Sequence, residues 1–388
     1  MIGVLLATVM ATPMPWLQPT WSDAGGQLEV AARMWEEPEG SPRILLVGVT
    51  HIGEPSYYAA IETLLDQCDV VVFESVLPEG GTAPGGSDDA ARADSTQATA
   101  TLLARMLAGT VSVDWNQAIA NLAASNTRVV SIVRPLARDG WGRSWVMRDN
   151  KVTSFGADGM LGGTGVNADI MVAVAEEAAQ PDGGELQRSM AESLGLVFQL
   201  DSLPYDDVHW VPGDLRIDQV AAAFKERGED LGDMTAMLSG GGLVGGAMGG
   251  VFKMIPILDA IFGGRIVDTI RVILIEMLGD EALIGSALEM QGPALEEVLL
   301  DLRNERAMEV LWEEVAELDR GQTIALLYGA GHLPGLVTIL ESQGDWEVVD
   351  TKWLPAIELD LTTSPLTKTE VDMLRGWIRN FAKRLSPR

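Results

Sequence analysis

Two short stretches constrain the fold more than any other feature of this chain. "RILLVGVTHIG", Arg43 to Gly53, and "TIALLYGAGHLPG", Thr323 to Gly335, each hold an apolar run, then glycine, two further residues and histidine. An unbroken apolar run of this length fits a strand covered on both faces. Glycine at its end permits a sharp exit and a close approach by backbone or ligand. After the first run, "PSYYAAIETLLDQ" has the spacing of an amphipathic helix and "DVVVFES" reads as a second buried strand. That order is a β-α-β unit, whose strands are parallel and whose crossover is right-handed. The second stretch repeats the order of strand, GxxH, helix and strand through "LVTILESQGDWEVVD". The expected fold is α/β (or α+β), with a central, mostly parallel sheet built from two β-α-β units bearing GxxH motifs. Such sheets hold ligands beyond the carboxyl ends of their strands. His51, Glu74 and His332 belong there, with His51 and Glu74 expected at the ends of neighbouring strands.

The rest of the chain reads as additions to that sheet. Residues 1–27 form an N-terminal segment whose start, "MIGVLLATVMATPMP", has a short apolar core like that of a signal peptide. It lacks the basic residues and the small-x-small site of one, so cytoplasmic and exported locations both stay open. The remaining 28–388 is expected to be one domain. Glu79 to Thr99, rich in Gly, Ser, Asp and Ala, reads as a mobile surface loop. "ATLLARMLAG" and "NQAIANLAA" read as helices and "TRVVSIVRP" as a third strand. A large helical insertion is expected over about 140–320. It includes "ADIMVAVAEEAAQ", "IDQVAAAFKERG" capped by Asp214 or its neighbours, "RIVDTIRVILIEML", and a helix from Asp301 to Asp319 with a charged face. Residues 367–386 form an amphipathic C-terminal helix with a basic end.

Between Ser239 and Gly264, "SGGGLVGGAMGGVFKMIPILDAIFGG" spaces glycines four apart, which lets helices approach closely. Two readings stand: a tightly packed helix or hinge, and a membrane-facing or protein-facing contact through 239–264. Lys253 and Asp259 break the run, and the chain has no uninterrupted apolar stretch long enough for an ordinary spanning helix. The stretch also fits GxGxxG formally, but no strand precedes it, so it is no dinucleotide fingerprint.

Composition narrows the chemistry. A formal net charge of −29 makes this an acidic protein and argues against nucleic acid, which is bound through clustered Lys and Arg. Cys68 is the only cysteine, so intrachain disulfides and thiolate clusters are excluded and a metal must be held by His and carboxylates. Cys68 itself reads as a buried helix-end residue. Of the three histidines, His51 and His332 repeat one context. His209, in the polar "DDVHWVPGD" turn, lacks it and reads as structural. Two imidazoles and Glu74 make a candidate site for a divalent metal such as manganese, cobalt, zinc or iron. A bound metal lowers the pKa of water and polarises a carbonyl, so hydrolysis of a peptide or small-molecule substrate is the natural reaction. Glu54 or Glu74 is the candidate base, and an arginine is the candidate oxyanion stabiliser. Neither a GxSxG elbow nor an HExxH helix is present. Arg303 and Arg306 are equally open to a salt-bridge reading, and Tyr57, Tyr58 and Tyr328 flank the site.

These residues carry a resemblance. "LLVGVTHIG", Glu74 in "VVVFESV", "RNERAMEVL", "YGAGHLPGL" and "LGLVFQLDSLPYDDVHWVPGDL" resemble the TraB/GumN-like family, which includes the Tiki proteins and the bacterial pheromone-shutdown proteins. The likeness covers most of Leu28 to Leu354, and the segment 239–264 has no counterpart in its pattern. It implies a central sheet with a helical insertion and a metal-dependent hydrolase site of peptidase or amidase type, since Tiki relatives are metal-dependent proteases. His51, Glu74 and His332 then correspond to metal or catalytic residues and Arg303 to the matching arginine, with Arg306 as the other register. Other relatives are similar in fold to erythromycin esterases and haem-binding lipoproteins, so the resemblance also admits a non-catalytic protein that binds haem, a metal or a peptide, associated with a membrane.

Overall fold

The computed structural model describes residues 14–37, 40–75, 86, 88–107, 114–125, 136–174, 185–205, 207–228, 254–280 and 296–385. The elements in chain order are β1 (Leu17–Trp21), β2 (Gly25–Glu36), β3 (Arg43–Val49), β4 (Ile52–Gly53), α1 (Pro55–Leu65), β5 (Val70–Phe73), α2 (Asp89–Met106) and α3 (Trp115–Ser125). Next come β6 (Val146–Arg148), β7 (Lys151–Ser154), β8 (Ile170–Ala173), α4 (Glu185–Ser193), β9 (Val197–Phe198), β10 (Trp210–Pro212) and α5 (Ile217–Glu226). The chain continues through α6 (Arg265–Leu278), α7 (Leu302–Val315), β11 (Thr323–Gly329), α8 (Leu333–Ser342), β12 (Glu347–Asp360) and α9 (Lys368–Leu385).

The protein is mixed α/β, with helices on both faces of a seven-stranded sheet. Its centre is parallel: β3, β11, β5 and β10 lie side by side in that order. β1, β2 and β12 add antiparallel pairings at the other end. The apolar runs are strands for the reason their composition suggests. Along β3, Leu45, Val47 and Val49 face one core, with Tyr57, Tyr58 and Ile61 of α1, Val272 and Ile275 of α6, and Val371 and Ile378 of α9. Ile44 and Leu46 face the other core, with Met308 and Leu311 of α7 and Leu336 and Leu340 of α8. Successive side chains point to opposite faces of a strand, so a strand covered on both sides must be apolar throughout.

Strand order departs from expectation. β3 and β5 are not neighbours, because β11 sits between them and pairs with both. After α8 the chain passes over β3 and β2, and β12 pairs antiparallel with β2 at the far side. Local periodicity encodes that a strand is buried on both faces, not which strand lies beside it. The sheet also starts earlier than expected, since β1 lies within 1–27 and pairs with β2.

The insertion expected over about 140–320 is not helical throughout, and its first part is corrected. β6, β7 and β8 form a three-stranded antiparallel sheet, and "ADIMVAV" holds a strand where a helix was expected. The β6–β7 turn is Asp149-Asn150, both at positive φ (51° and 56°). Positive φ at both central residues defines the tight hairpin turn that suits twisted strands. The loop expected over Glu79 to Thr99 is helical from Asp89 onward. The Asp88 carboxylate accepts the Ala91 amide at 2.9 Å, an N-cap contact that starts the helix. "TRVVSIVRP" and residues 239–253 lie outside the described residues. Residues 254–261 are helical, and the chain turns into α6 at Gly264 (φ 85°) while Asp259 accepts the Ile266 and Val267 amides at 2.8 and 2.9 Å.

Candidate functional site

Because β3, β11, β5 and β10 are parallel, their carboxyl ends share one edge of the sheet. In register, Gly48 faces Tyr328 and Val49 faces Gly329. The next residues extend the ladder, with the Glu74 amide on the Leu327 carbonyl and the Gly213 amide on the Phe73 carbonyl. His51, His332, Glu74 and Asp214 therefore follow four adjacent strand ends. Tyrosines pin this edge from within: Tyr58 donates to the Thr50 carbonyl at 2.7 Å, Tyr57 to Gly48 at 3.3 Å and Tyr328 to Gly213 at 2.5 Å. Burial raises the pKa of all three phenols, so they act here as donors and not as proton acceptors.

Arg303, on α7, is the centre of the cluster. Its Nη2 donates to Glu74 at 2.6 Å and to Asp214 at 2.7 Å, and its Nε donates to Asp214 at 3.0 Å. Nη1 reaches the Leu299 carbonyl at 3.3 Å and His332 Nε2 at 3.4 Å. A guanidinium has five N–H donors, and each is directed at a protein acceptor. Burial disfavours its charge, but Glu74 and then Asp214 outweigh that and keep Arg303 ionised. Arg306, the other register, is partly exposed and pairs with Glu309 at 3.0 Å on its own helix.

Glu74 is held as an anion. Burial opposes its ionisation, but the Arg303 guanidinium, followed by His332 and His51, brings its carboxyl well below the usual range. Its second oxygen accepts the Gly329 amide at 2.6 Å. A Cβ on Gly329 would stand 3.0 Å from that oxygen, so glycine is what permits the approach.

The histidines are fixed by amides. His332 Nδ1 lies 2.7 Å from Asn304 Oδ1, and Asn304 Nδ2 donates to the His332 carbonyl at 3.4 Å. His51 Nδ1 lies 2.9 Å from Gln199 Oε1, whose amide nitrogen donates to the Tyr205 hydroxyl at 2.9 Å. An amide oxygen accepts, so each ring directs an Nδ1–H at its amide and turns Nε2 the other way. His332 is buried and His51 is exposed. His332 Nε2 is 3.5 Å from Glu74.

Of the sequence candidates, Glu74, Arg303 and His332 are in direct contact, and His51 is near enough for its charge to act on Glu74. Glu54 is turned away: it pairs with Arg271 of α6 at 2.5 Å and accepts the Glu358 amide at 3.4 Å. His209 is exposed in a turn, where its backbone amide donates to Asp207 at 2.9 Å. Cys68 lies just past α1, half-buried, its thiol pushed up to about 12 chiefly by burial and then by Asp69.

Sequence reasoning missed Asp214, Asn304 and Gln199. The cap of α5 was expected at Asp214 or its neighbours, and it falls on the neighbour Arg216, while the Asp214 carboxylate binds Arg303. A usable signal existed, since "HWVPGD" is a short apolar run ending in glycine and an acid, as at the other strand ends. For the two amides no such signal exists, because their partners lie 28 and 148 residues away.

For a divalent metal, the donors fit in kind, two imidazoles and a carboxylate held as an anion, while His332 Nε2 is already approached by Arg303 Nη1 at 3.4 Å. In spacing, no three His, Cys, Asp or Glu side chains among the described residues form a group ready to hold one. No protein-family model, curated protein or solved structure matches the chain.

Proposed function

We propose that the protein is a hydrolase of peptide or amide bonds that works at the edge formed by His51, Glu74 and His332, with a divalent metal held by these three side chains. The observation that carries the reading is the common clamp on the two imidazoles, each held through Nδ1 by an amide at the end of a central strand. The resemblance to the TraB/GumN-like family points the same way. When bound, the metal supplies an acidified water and a polarised carbonyl.

The chain's own groups have separable tasks. His51, the exposed member of the three, would hold the metal through Nε2 where a substrate and its attacking water can reach it. Glu74 would supply fixed negative charge, since its carboxyl is held well below the usual range. Arg303 was expected beside the oxyanion, but its five donors are taken up by the protein, so its task is to hold Glu74 and His332 in place. Glu54, bound to Arg271, has no part in the reading.

The test is metal content by mass spectrometry after equilibration with manganese, cobalt and zinc, with His51→Ala plus His332→Ala as comparison and a peptide-library screen alongside. Near-stoichiometric metal lost in the double variant, together with hydrolysis, is the expected result. Metal or hydrolysis unaffected by the loss of either histidine would sink it. One observation favours a second reading, non-catalytic binding of haem, a metal or a peptide: Arg303 and Glu74 already satisfy each other. Soret absorbance of the purified protein with no hydrolysis would select it.

A further inference from the structure

The C-terminal helix α9 presents two unlike faces. Val371 and Ile378 are buried against the sheet's helical layer. Arg375 and Arg379 reach the buried Glu276 of α6 at 2.6 and 2.7 Å. Turned outward, Met373, Trp377 and Phe381 are 63%, 65% and 45% exposed. They follow one another at i, i+4, which places them in one line on the helix. Trp377 and Phe381 stack with ring centroids 5.8 Å apart and planes at 12°. Arg384 continues the line, Lys383 is exposed at the same end of the helix, and Glu370 lies on the line one turn before Met373. Ahead of α6, Ile257, Ile261 and Phe262 are also exposed, and that end of α6 is tied to the start of α9 by Arg265, which pairs with Glu370 at 2.5 Å.

We propose that α9 docks this protein on an anionic lipid surface, lying in the interface plane. Two features favour lipid over a protein partner. Tryptophan and phenylalanine on an exposed helical line are the side chains that settle at the boundary of headgroups and acyl chains. The line ends at the exposed cations Lys383 and Arg384 in a chain of net charge −29, so positive charge stands at the end of the helix where aromatic rings are exposed. Lys and Arg beside such a line pair with anionic headgroups while their stems cover apolar surface. A second copy docking through the same face would set these cations against one another. Among the described residues no helix is long and apolar enough to cross a membrane, so α9 lies on the surface.

The test is flotation of the full chain with vesicles of phosphatidylcholine alone and of phosphatidylcholine with a quarter phosphatidylglycerol, at 0.15 M salt. The protein should float with the anionic vesicles only. Trp377→Ser plus Phe381→Ser should return it to the bottom fraction. Lys383→Gln plus Arg384→Gln should weaken partitioning by roughly thirtyfold. All four positions are solvent-facing, and an unchanged thermal midpoint checks that the variants are folded. Wild type left at the bottom, equal flotation with both vesicles, or variants that float like wild type would each overturn the proposal. So would a dimer in solution that the aromatic variant dissociates while wild type fails to float.

Discussion

Two ion clusters in this protein are near mirror images in charge. At the carboxyl edge of the sheet, one guanidinium, Arg303, lies between two carboxylates, Glu74 and Asp214. Between α6 and α9, one carboxylate, Glu276, lies between two guanidiniums, Arg375 and Arg379. Solvent separates them. Arg303, Glu74 and Asp214 are 10%, 12% and 0% exposed at their side chains, whereas Arg379 is 54% exposed. In the first cluster no member can turn to water, and His332 stands beside it, its Nε2 3.4 Å from Arg303 Nη1. In the second, an arginine stem packs on the surface and its head is already wet. The first holds chemistry in place, and the second fastens a helix to the body.

The largest difference should come from removing the central member of each. Arg303→Met leaves two carboxylates buried without a partner and is expected to cost about 3–5 kcal/mol. Glu276→Gln leaves guanidiniums of which one already faces water, and about 1–3 kcal/mol is expected. Urea denaturation of the two variants beside wild type measures both, and equal losses would break the contrast.

Acid should sharpen it. Glu74 has a folded pKa below that of an unfolded carboxyl, so the stability it contributes is full above about pH 4.3. It is lost as pH falls below that toward the folded value, because the unfolded chain then binds the proton first. Glu74→Gln should be less stable than wild type at pH 7 and should converge on it in strongly acidic solution. Denaturation midpoints from pH 7 down to pH 3 give the result, and parallel curves would remove Glu74 from the ionised cluster.

The contrast also shows what was legible in the sequence. β3 and β11 could be read because strands covered on both faces must be apolar throughout, and their GxxH exits repeat. Glu74 could be read because a lone acid ending "VVVF" needs a partner, whereas Arg303 was told from Arg306 only by the resemblance to the TraB/GumN-like family. What failed was long-range. The place of β11 between β3 and β5 leaves no local mark, and Asp214 looked like a helix cap because capping and ion pairing use the same residue type. The hairpin of β6 and β7 was hidden because its strands are only three and four residues long, too short for an alternating pattern to stand out.

Function should separate the clusters where stability does not. Gln199→Met removes the acceptor that fixes the His51 tautomer, and it leaves the fully buried ion cluster untouched. A loss of about 10–100-fold in metal affinity or hydrolysis is expected, the range for losing an outer-shell partner of a ligating histidine. Arg379→Gln, on the helix-fastening cluster, should leave both unchanged. If Gln199→Met is silent in metal content and turnover, the amide clamp is structural.

The smallest expected effect lies on the surface. Arg306 pairs with Glu309 one turn along α7, and their side chains are 34% and 65% exposed. An exposed pair in high dielectric gains little from Coulomb attraction and loses side-chain freedom, so Arg306→Ala should change stability by at most about 0.5 kcal/mol. Its value is as a control three residues from Arg303. The two arginines share a helix and differ in what they face, so a large loss at position 303 beside a negligible one at 306 would place the effect in the buried carboxylates and not in the charge of α7. A loss at 306 comparable to that at 303 would mean that the helix as a whole answers to any change of charge, and the special standing of the edge cluster would go with it.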